Sequence, residues 1–226
     1  MKKIFIIHGW TYTVNSWDEC IAALRVGGFE PVMLSVPGLT ESSEKVWTLE
    51  EYVAWLDQKL QGEQEIVLVG HSNGGRIAIA YAASHPGRVQ KLVLIDSAGI
   101  VHNEPLLRLK RTIFGTVAKV GKTFTKSPLM RKIFYRLIGA RDYERAPANM
   151  RETMKNLISI DLSDKLPLID SKTLIIWGER DTATPVSDGR RMNQLIKGSK
   201  LIIIPEAGHS PHQTAPKRIV EEILAF

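Results

Sequence analysis

The run Gly70-His71-Ser72-Asn73-Gly74 carries the residue types in this sequence that are best suited to covalent chemistry. It matches the pattern G-x-S-x-G, in which a serine lies on a sharp turn between a strand and a helix. An apolar stretch at 66–69 precedes the run, and an alanine-rich stretch at 73–84 follows it. Such a turn leaves no room for bulky neighbours, which explains the glycines. We therefore predict that Ser72 is a nucleophile at the carboxyl edge of a sheet, where open α/β sheets form ligand sites.

A serine hydroxyl is a weak nucleophile unless a base takes its proton and an acid orients that base. Candidates for both groups follow apolar runs further along the chain. His209 comes after the run 201–204, and Asp181 comes after the run 174–177. The order serine, aspartate, histidine is the one that accompanies a G-x-S-x-G turn. We predict that His209 is the base and that Asp181 is the acid.

Other titratable residues near these motifs have competing interpretations. His212 is an alternative base, and Asp96, which ends another apolar run, is an alternative acid. Asp188 is interpreted as an exposed residue in the first turn of a helix. His71 is expected to form part of the wall of the site, and His8 to be buried and hydrogen-bonded.

A glycine turn after the first apolar run, at 4–7, contributes a second element of the site. In His8-Gly9-Trp10 this turn could aim the backbone N–H of Trp10 at the serine. The N–H of Asn73 lies at the start of the helix that follows the serine, where free N–H groups favour a developing negative charge. We predict that Trp10 and Asn73 form a two-donor oxyanion hole, in which losing one donor typically costs about 2.7–4 kcal/mol of barrier.

Short apolar runs that end at Gly, Pro, Asp or Ser recur along the chain and predict buried strands. Their continuous Val, Ile and Leu content is typical of parallel strands covered on both faces. We predict a doubly wound α/β architecture, with a mostly parallel sheet of about six strands and helices on both faces. The predicted strands are 4–7, 32–36, 66–69, 92–95, 174–177 and 201–204, and the predicted helices are 16–26, 49–61, 73–84, 187–196 and 215–226.

The alternation of strands and helices stops between residues 100 and 160, where apolar residues recur at helical spacing. This segment holds 13 Lys or Arg residues and four acidic residues, a net charge of +9, so the rest of the chain carries −3 of the total of +6. We predict that 100–160 is an inserted helical lid and that 1–99 and 161–226 form the core. Its apolar residues could cover an acyl group. Its basic residues could attract an anionic substrate or a membrane surface, or could simply face water.

Composition and motif content argue against several other classes of function. No stretch approaches the roughly 20 apolar residues that a membrane span needs, and the basic segment lacks the marks of a nucleic-acid-binding motif. We therefore expect no membrane span and no nucleic-acid partner. The sequence also lacks paired-cysteine and H-E-x-x-H metal motifs and a P-loop lysine, so we expect no metal and no cofactor. The single cysteine, Cys20, cannot form an internal disulfide, which fits a cytoplasmic protein.

Together these motifs resemble the α/β-hydrolase superfamily, in its small, lid-bearing, esterase-like branch, over essentially the whole chain. Each motif alone is common, but the set is specific. At Thr11-Tyr12 and at Thr40 the sequence departs from the Pro-Gly and glycine frequent in the family, which affects the expected shape of the pocket. The matching residues are His8-Gly9 with Trp17, Pro37-Gly38 followed by Ser42, Gly70-His71-Ser72-Asn73-Gly74-Gly75, Leu94-Ile95-Asp96, Trp177-Gly178-Glu179-Arg180-Asp181 with Pro185, and Gly208-His209.

The resemblance implies an activity as well as a fold. By it, Ser72, Asp181 and His209 are a catalytic triad, and Trp10 and Asn73 donate to the oxyanion. The implied reaction is hydrolysis of a small or medium carboxylic ester through an acyl-enzyme. A carbon–carbon bond hydrolase acting on an acidic diketone, an acyl thioesterase and a non-catalytic ligand receptor are the alternatives. Relatives that use aspartate as the nucleophile do not fit the serine at this position.

Overall fold

A parallel sheet of six strands forms the centre of the protein, as the sequence predicts. The computed structural model describes residues 1–101 and 146–226 of the chain. The strands lie in the order β2-β1-β3-β4-β5-β6, and all neighbouring pairs are parallel. Within the described ranges the strands are β1 (Lys2–Ile7), β2 (Phe29–Met33), β3 (Ile66–His71), β4 (Val89–Ile95), β5 (Lys172–Gly178) and β6 (Lys200–Ile204).

Helices connect the strands and begin and end at recognisable sequence signals. Helix α2 begins with a capping box, because the Thr48 hydroxyl accepts a hydrogen bond from the Glu51 N–H at 3.2 Å and the Glu51 carboxylate accepts one from the Thr48 N–H at 2.8 Å. Helix α3 ends directly before His85-Pro86-Gly87. The described helices are α1 (Asp18–Val26), α2 (Leu49–Lys59), α3 (Asn73–Ser84), α4 (Ala148–Ile158), α5 (Val186–Leu195) and α6 (Pro216–Ala225), with short helical turns at Asn15–Trp17, Leu166–Leu168 and Pro211–Thr214.

The second strand begins three residues earlier than predicted, at Phe29–Met33 instead of 32–36. Among the described strands, β2 lies at the edge of the sheet and pairs with β1. Proline is tolerated there because its missing N–H can face away from the neighbouring strand. Pro31 therefore lies inside β2, opposite Ile4 of β1, rather than ahead of the strand. The prediction of 32–36 is wrong because it followed the apolar run and left out Glu30 and Pro31, which precede that run.

Side chains cover the sheet on both faces, as its uninterrupted apolar strands predict. Alternate residues of β1 divide between the faces: Phe5 and Ile7 belong to one buried cluster, and Ile4 and Ile6 belong to the other. Helices α2, α3, α4 and α5 contribute to the first cluster. Helices α1 and α6 cover the second. Burial on both faces fixes each strand in register, because a shift of one residue would exchange the two sets of side chains.

The strand order places a topological switch point between β1 and β3. After β1 the chain moves outward to β2, and after β3 it moves the opposite way to β4. The two connections leave a crevice between them at the carboxyl ends of these strands, where open α/β sheets bind ligands. The two glycine-containing turns singled out in the sequence follow β1 and β3 and therefore face this crevice.

The described end of the predicted lid segment packs directly on the core. Met150 and Leu157 of α4 are fully buried in the first cluster. The Asn149 side-chain amide donates to the backbone carbonyl of Ser43 at 2.9 Å, and the Thr153 hydroxyl accepts from the backbone N–H of Trp47 at 2.9 Å. The rest of the predicted lid, 102–145, lies outside the described residues. In the two described ranges, helices long and apolar enough to cross a membrane are absent.

Candidate active site

Ser72 lies on a strained turn between β3 and α3. Its backbone has φ 52° and ψ −118°, outside the regions that L-residues ordinarily adopt. Conformations of this kind cost on the order of 1–3 kcal/mol and persist only where the surroundings enforce them. Backbone hydrogen bonds do so here. The Ser72 N–H donates to the carbonyl of Ile95 at 3.1 Å, and the Ser72 carbonyl accepts from the N–H groups of Ala98 at 2.9 Å and Arg76 at 3.2 Å.

Two glycines allow the backbone to close around this serine. A Cβ on Gly74 would overlap the backbone carbonyls of Ile7 and His8, where neither atom can move aside. A Cβ on Gly9 would lie 3.0 Å from the Cβ of Ser72 and 2.8 Å from Nδ1 of His71. The turn after β1 therefore packs directly against the turn after β3. The residue types predicted from sequence are required here by close approach of the main chain.

The structure brings Ser72, His209 and Asp181 into one chain of hydrogen bonds. His209 Nε2 lies 2.8 Å from Ser72 Oγ, and His209 Nδ1 lies 2.7 Å from Asp181 Oδ2. A carboxylate oxygen can only accept, so Nδ1 carries the ring proton and Nε2 accepts from the serine hydroxyl. The Asp181 side chain is fully buried, while 30% of the His209 side chain is exposed. This arrangement leaves the basic nitrogen directed at the serine.

Asp181 is held as an anion by the groups around it. Burial alone would raise the pKa of Asp181, but the hydrogen bond and charge of His209, together with donors from Thr184 and Ala183, hold that pKa below its usual value. The Thr184 hydroxyl donates to Oδ2 at 2.8 Å, and the Ala183 N–H donates to Oδ1 at 2.7 Å. A carboxylate with this many donors stays ionised and can stabilise an imidazolium ring beside it.

His71 fixes the loop that carries His209. The Nε2 of His71 donates to the backbone carbonyl of His209 at 2.7 Å. Burial, with smaller contributions from the neighbouring rings of His212 and His209, lowers the pKa of His71 well below its usual value. His71 is thus a neutral donor that anchors the base. The sequence predicts only a wall residue here, because nothing in it shows that the chain returns to this point 138 residues later.

The structure places the alternative base, His212, away from the serine. Its ring stacks on Trp17, with ring centroids 4.2 Å apart, and its Nε2 lies 3.5 Å from the Ser16 hydroxyl. Burial, together with the charge of His209, lowers the pKa of His212 to about 4. His212 therefore contributes a neutral ring to the surroundings of His209.

The alternative acid, Asp96, is buried beside the site without bonding the base. Its side chain is fully buried, its φ is 42°, and its Oδ1 accepts from the backbone N–H of Gly178 at 2.7 Å. Burial, opposed by the hydrogen bond from the Gly178 N–H and assisted by the nearby Asp181, raises the pKa of Asp96 to about 8. Asp96 is the uncharged neighbour of Asp181 near neutral pH.

The predicted oxyanion donors lie on the two turns that meet at Ser72. Trp10 follows Gly9 in the turn after β1, and Asn73 is the first residue of α3. Within residues 1–101 and 146–226, the backbone N–H groups of Trp10 and Asn73 donate to no acceptor. Both groups are therefore available to an oxygen bound above Ser72, as an oxyanion hole requires.

Two further expectations have clear outcomes. His8 is buried and hydrogen-bonded, as expected, with Nδ1 2.8 Å from the Gly9 carbonyl and Nε2 2.8 Å from the Thr40 hydroxyl. Asp188 lies in the first turn of α5, but the expectation that it is exposed is wrong, because only 3% of it is accessible. The reason is Gly189, which has no side chain and brings this end of α5 against the ring of Trp177.

One group of side chains in the described ranges has the spacing of a metal site. Ring nitrogens of His71 and His209 and a carboxylate oxygen of Asp96 lie within 4.8 Å of one another. His209 uses both nitrogens on Ser72 and Asp181, and His71 uses Nε2 on a backbone carbonyl. An ion there would compete with these hydrogen bonds, so the network fits proton transfer better than metal binding.

A pocket of about 460 Å³ opens beside Ser72. The turn after β1, at 9–17, forms one side, and the loop that carries the base, at 209–213, forms the other. Its volume is within the range of small-molecule sites. A substrate bound in this pocket would touch both the serine hydroxyl and His209.

Comparisons with known proteins agree with the observed fold. A family model described as the α/β hydrolase fold matches residues 3–216 of the chain. The pimeloyl-[acyl-carrier protein] methyl ester esterase of Nitrosomonas europaea is 25% identical over 236 residues, which cover 96% of this chain and 92% of that protein. The AB hydrolase superfamily protein YisY of Bacillus subtilis is 27% identical over 253 residues, covering 100% of this chain and 91% of that protein.

A solved structure agrees at the level of the fold. A thermophilic esterase from Thermogutta terrifontis superposes with a TM-score of 0.73 at 22% identity, covering 99% of this chain and 88% of that one. At this identity the likeness shows a common backbone architecture.

Proposed function

The chain belongs to the family of proteins with the α/β hydrolase fold, and from this premise we propose that it is a serine hydrolase of small or medium carboxylic esters. The observation that carries the proposal is the hydrogen-bonded chain from Ser72 through His209 to Asp181, with distances of 2.8 and 2.7 Å. Nucleophile, base and orienting acid are in hydrogen-bond contact, as acyl transfer requires. A relative named as a methyl ester esterase supports the choice of ester.

In the proposed first half-reaction, Ser72 Oγ attacks the ester carbonyl while His209 Nε2 takes the hydroxyl proton. Asp181 holds Nδ1–H and stabilises the imidazolium that forms. The carbonyl oxygen becomes negatively charged and accepts hydrogen bonds from the backbone N–H groups of Trp10 and Asn73. His209 then gives its proton to the departing alkoxide, which leaves as the alcohol.

In the second half-reaction, water replaces the alcohol. His209 takes a proton from the water as it attacks the acyl-enzyme, and the same two N–H groups stabilise the second tetrahedral intermediate. Collapse of that intermediate returns the proton to Ser72 and releases the carboxylic acid. The strained backbone of Ser72 keeps Oγ at the mouth of the crevice through both steps, because α3 and β3 hold the turn on either side.

The test is steady-state hydrolysis of p-nitrophenyl esters from acetate to decanoate, with wild type beside Ser72→Ala. We expect multiple turnover by the wild type and a fall in kcat of at least about a thousandfold in the variant. Ser199→Ala is the matched control, because Ser199 directly precedes β6 and so lies at the amino edge of the sheet, opposite the site. A folded wild-type protein that reacts once without turnover would contradict the proposal and favour a ligand receptor.

A further inference from the structure

We propose that Asp96 is a positioning residue for the base, a carboxylic acid whose Oδ2–H donates a hydrogen bond to the carboxylate of Asp181. The effect of this bond on His209 rests on the proposed ester hydrolysis, whereas the bond itself is a property of the fold. Three observations carry the inference: the burial of Asp96, the different surroundings of its two carboxyl oxygens, and its contact with a second carboxyl group.

The backbone at the end of β4 holds the Asp96 side chain in the interior. Asp96 has φ 42°, a left-handed conformation that aspartate and asparagine tolerate better than most residues. Its N–H donates to the Ile176 carbonyl of β5 at 3.0 Å, and the Thr184 hydroxyl lies 3.1 Å from its backbone carbonyl oxygen. The side chain is fully buried. The Asp96 carboxyl group therefore has to find its hydrogen-bond partners within the protein.

The two carboxyl oxygens of Asp96 have different surroundings. Oδ1 accepts from the Gly178 N–H at 2.7 Å. Oδ2 is buried, and in the described ranges no hydrogen-bond donor reaches it. The carboxyl group of Asp181 lies within hydrogen-bonding range of the Asp96 carboxyl group. An ionised carboxylate has no hydrogen to give, so a hydrogen bond between the two groups exists only when one of them keeps a proton.

Asp96 is the member of this pair that keeps the proton. Asp181 accepts from His209 Nδ1, the Thr184 hydroxyl and the Ala183 N–H, and these donors help to hold its pKa below the usual value. Asp96 accepts one described hydrogen bond at its carboxyl group, and burial raises its pKa to about 8. Two carboxyl groups in contact do not both ionise easily, and the one with fewer donors stays protonated.

The donated proton acts on His209 through Asp181. Among the described residues, His71 and His209 also approach Asp96, with ring nitrogens within 4.8 Å of its carboxyl oxygen. His71 is neutral, since burial lowers its pKa, and its Nε2 donates to the His209 carbonyl. A hydrogen bond from Asp96 withdraws charge from the Asp181 carboxylate, which then stabilises an imidazolium less strongly. Without that bond, His209 would lose its free Nε2 at a higher pH.

Infrared difference spectroscopy tests the hydrogen bond without any substrate. A protonated carboxyl group has a C=O stretching band that an ionised carboxylate lacks, so wild type minus Asp96→Asn at pH 6 isolates Asp96. We expect a band that disappears as the pH rises through about 8. In an Asp181→Asn background, which removes the charged acceptor, the band should move or vanish, whereas Asp170→Asn, at an exposed carboxylate, should leave it unchanged. A missing band at pH 6, or one that Asp181→Asn does not affect, would overturn the inference.

Two substitutions at Asp96 separate hydrogen bonding from packing. Asp96→Asn keeps an acceptor for Gly178, a donor for Asp181 and tolerance of positive φ, whereas Asp96→Ala removes both polar groups. In the pH profile of kcat/KM for p-nitrophenyl butyrate, we expect Asp96→Asn to keep the midpoint of the acid limb and Asp96→Ala to raise it by about 0.5–1 pH unit. Ser97→Ala is the matched control, because it removes a buried hydroxyl at the same turn that donates to the Ala98 carbonyl. Its acid limb should match wild type.

An acid limb that Asp96→Ala leaves in place, or that Asp96→Asn raises equally, would show that Asp96 does not act by donating a hydrogen bond. If Asp96→Ala does not fold, the alkaline limb of the other two proteins decides. Wild type should lose activity as Asp96 ionises near pH 8, because the donor becomes a second negative charge beside Asp181. Asp96→Asn cannot ionise and should stay active, so equal alkaline limbs would contradict the inference.

The infrared and kinetic outcomes also separate this inference from the activity on which it rests. Ester turnover without an Asp96 band that responds to Asp181→Asn would refute the inference alone. A band with the expected response in a protein that turns over no ester would support the hydrogen bond and refute the proposed function. Failure of both measurements would refute the two proposals together.

Discussion

The two halves of the candidate site are built in different ways. On the serine side, the turns after β1 and β3 are pressed together by main-chain contacts, and Gly9 and Gly74 leave no space for a Cβ. On the histidine side, side-chain hydrogen bonds hold the loops after β5 and β6: His209 Nδ1–H donates to the Asp181 carboxylate, and His71 at the end of β3 donates to the His209 carbonyl. One half is therefore fixed by steric exclusion and the other by polar pairing, and the two should respond to different substitutions.

The largest effect is expected from reversing the polar pairing. Asp181→Asn places an amide opposite His209 Nδ1, so the ring must accept there and carry its proton on Nε2, facing Ser72. It can then no longer take the serine proton, and kcat should fall by about 10⁴-fold. Single-turnover and steady-state kinetics with a p-nitrophenyl ester measure this.

Asp170→Asn is the control for that substitution, because Asp170 is an exposed carboxylate at the opposite, amino end of β5, where it accepts from the Gly87 N–H. The contrary outcome would identify Asp96, the alternative acid, as the residue that orients the base. If Asp181→Asn kept a tenth or more of the activity while Asp96→Asn abolished it, the base would be oriented by Asp96.

A smaller effect, on stability, is expected from filling the serine side. Gly74→Ala forces a methyl group against the backbone of Ile7 and His8, and overpacking against main chain costs about 1–3 kcal/mol. Gly208→Ala is the matched control on the histidine side, since a Cβ there meets nothing within 4 Å. Urea unfolding should show a loss for Gly74→Ala and a change below about 0.5 kcal/mol for Gly208→Ala. Equal losses would remove the distinction between the two halves.

The smallest effect per pH unit should come from Asp96, the buried carboxyl between the halves. Its pKa is raised to about 8, chiefly by burial, so the folded protein keeps a proton there that the unfolded chain releases above about pH 4. The stability from this group is complete below that unfolded value and is lost as the pH rises toward 8. Between pH 5.5 and 7.5, the unfolding free energy of wild type should fall relative to Asp96→Asn by about 1 kcal/mol per pH unit. Urea unfolding at several pH values measures this, and unfolding free energies that changed equally with pH in the two proteins would contradict the prediction.

The same contrast explains how much could be predicted from the sequence. The serine side was predictable because steric constraints are local: the glycines around Ser72 and the apolar runs before them mark the turn and the strands directly. The alternation of strands and helices similarly predicted the parallel sheet. The histidine side was predictable only as candidate residues, since His209 and His212, or Asp181 and Asp96, follow similar apolar runs.

What the sequence could not indicate depends on distant packing. The anchoring role of His71 needs the loop at His209 to return to it, and the burial of Asp188 needs α5 to approach Trp177 at Gly189. The start of β2 was misplaced because tolerance for Pro31 follows from the edge position of the strand. One local feature of the sequence could have indicated the hydrogen bond from Thr184 to Asp181. Thr184 lies three residues after the aspartate in a turn, where hydroxyl groups often bond to nearby residues.

The bond between Ser72 and His209 joins residues 137 apart in the sequence, and this separation has a consequence for how the protein acquires activity. Closing so long a loop is entropically costly, so contacts of this kind form late in folding. During synthesis on the ribosome, the strained serine turn and strands β1 to β5 can form before His209 has been synthesised. A nascent chain would therefore hold an unassisted serine, inert toward esters, until β6 joins the sheet. The rate at which the proposed ester hydrolysis appears during synthesis would therefore measure the docking of β6.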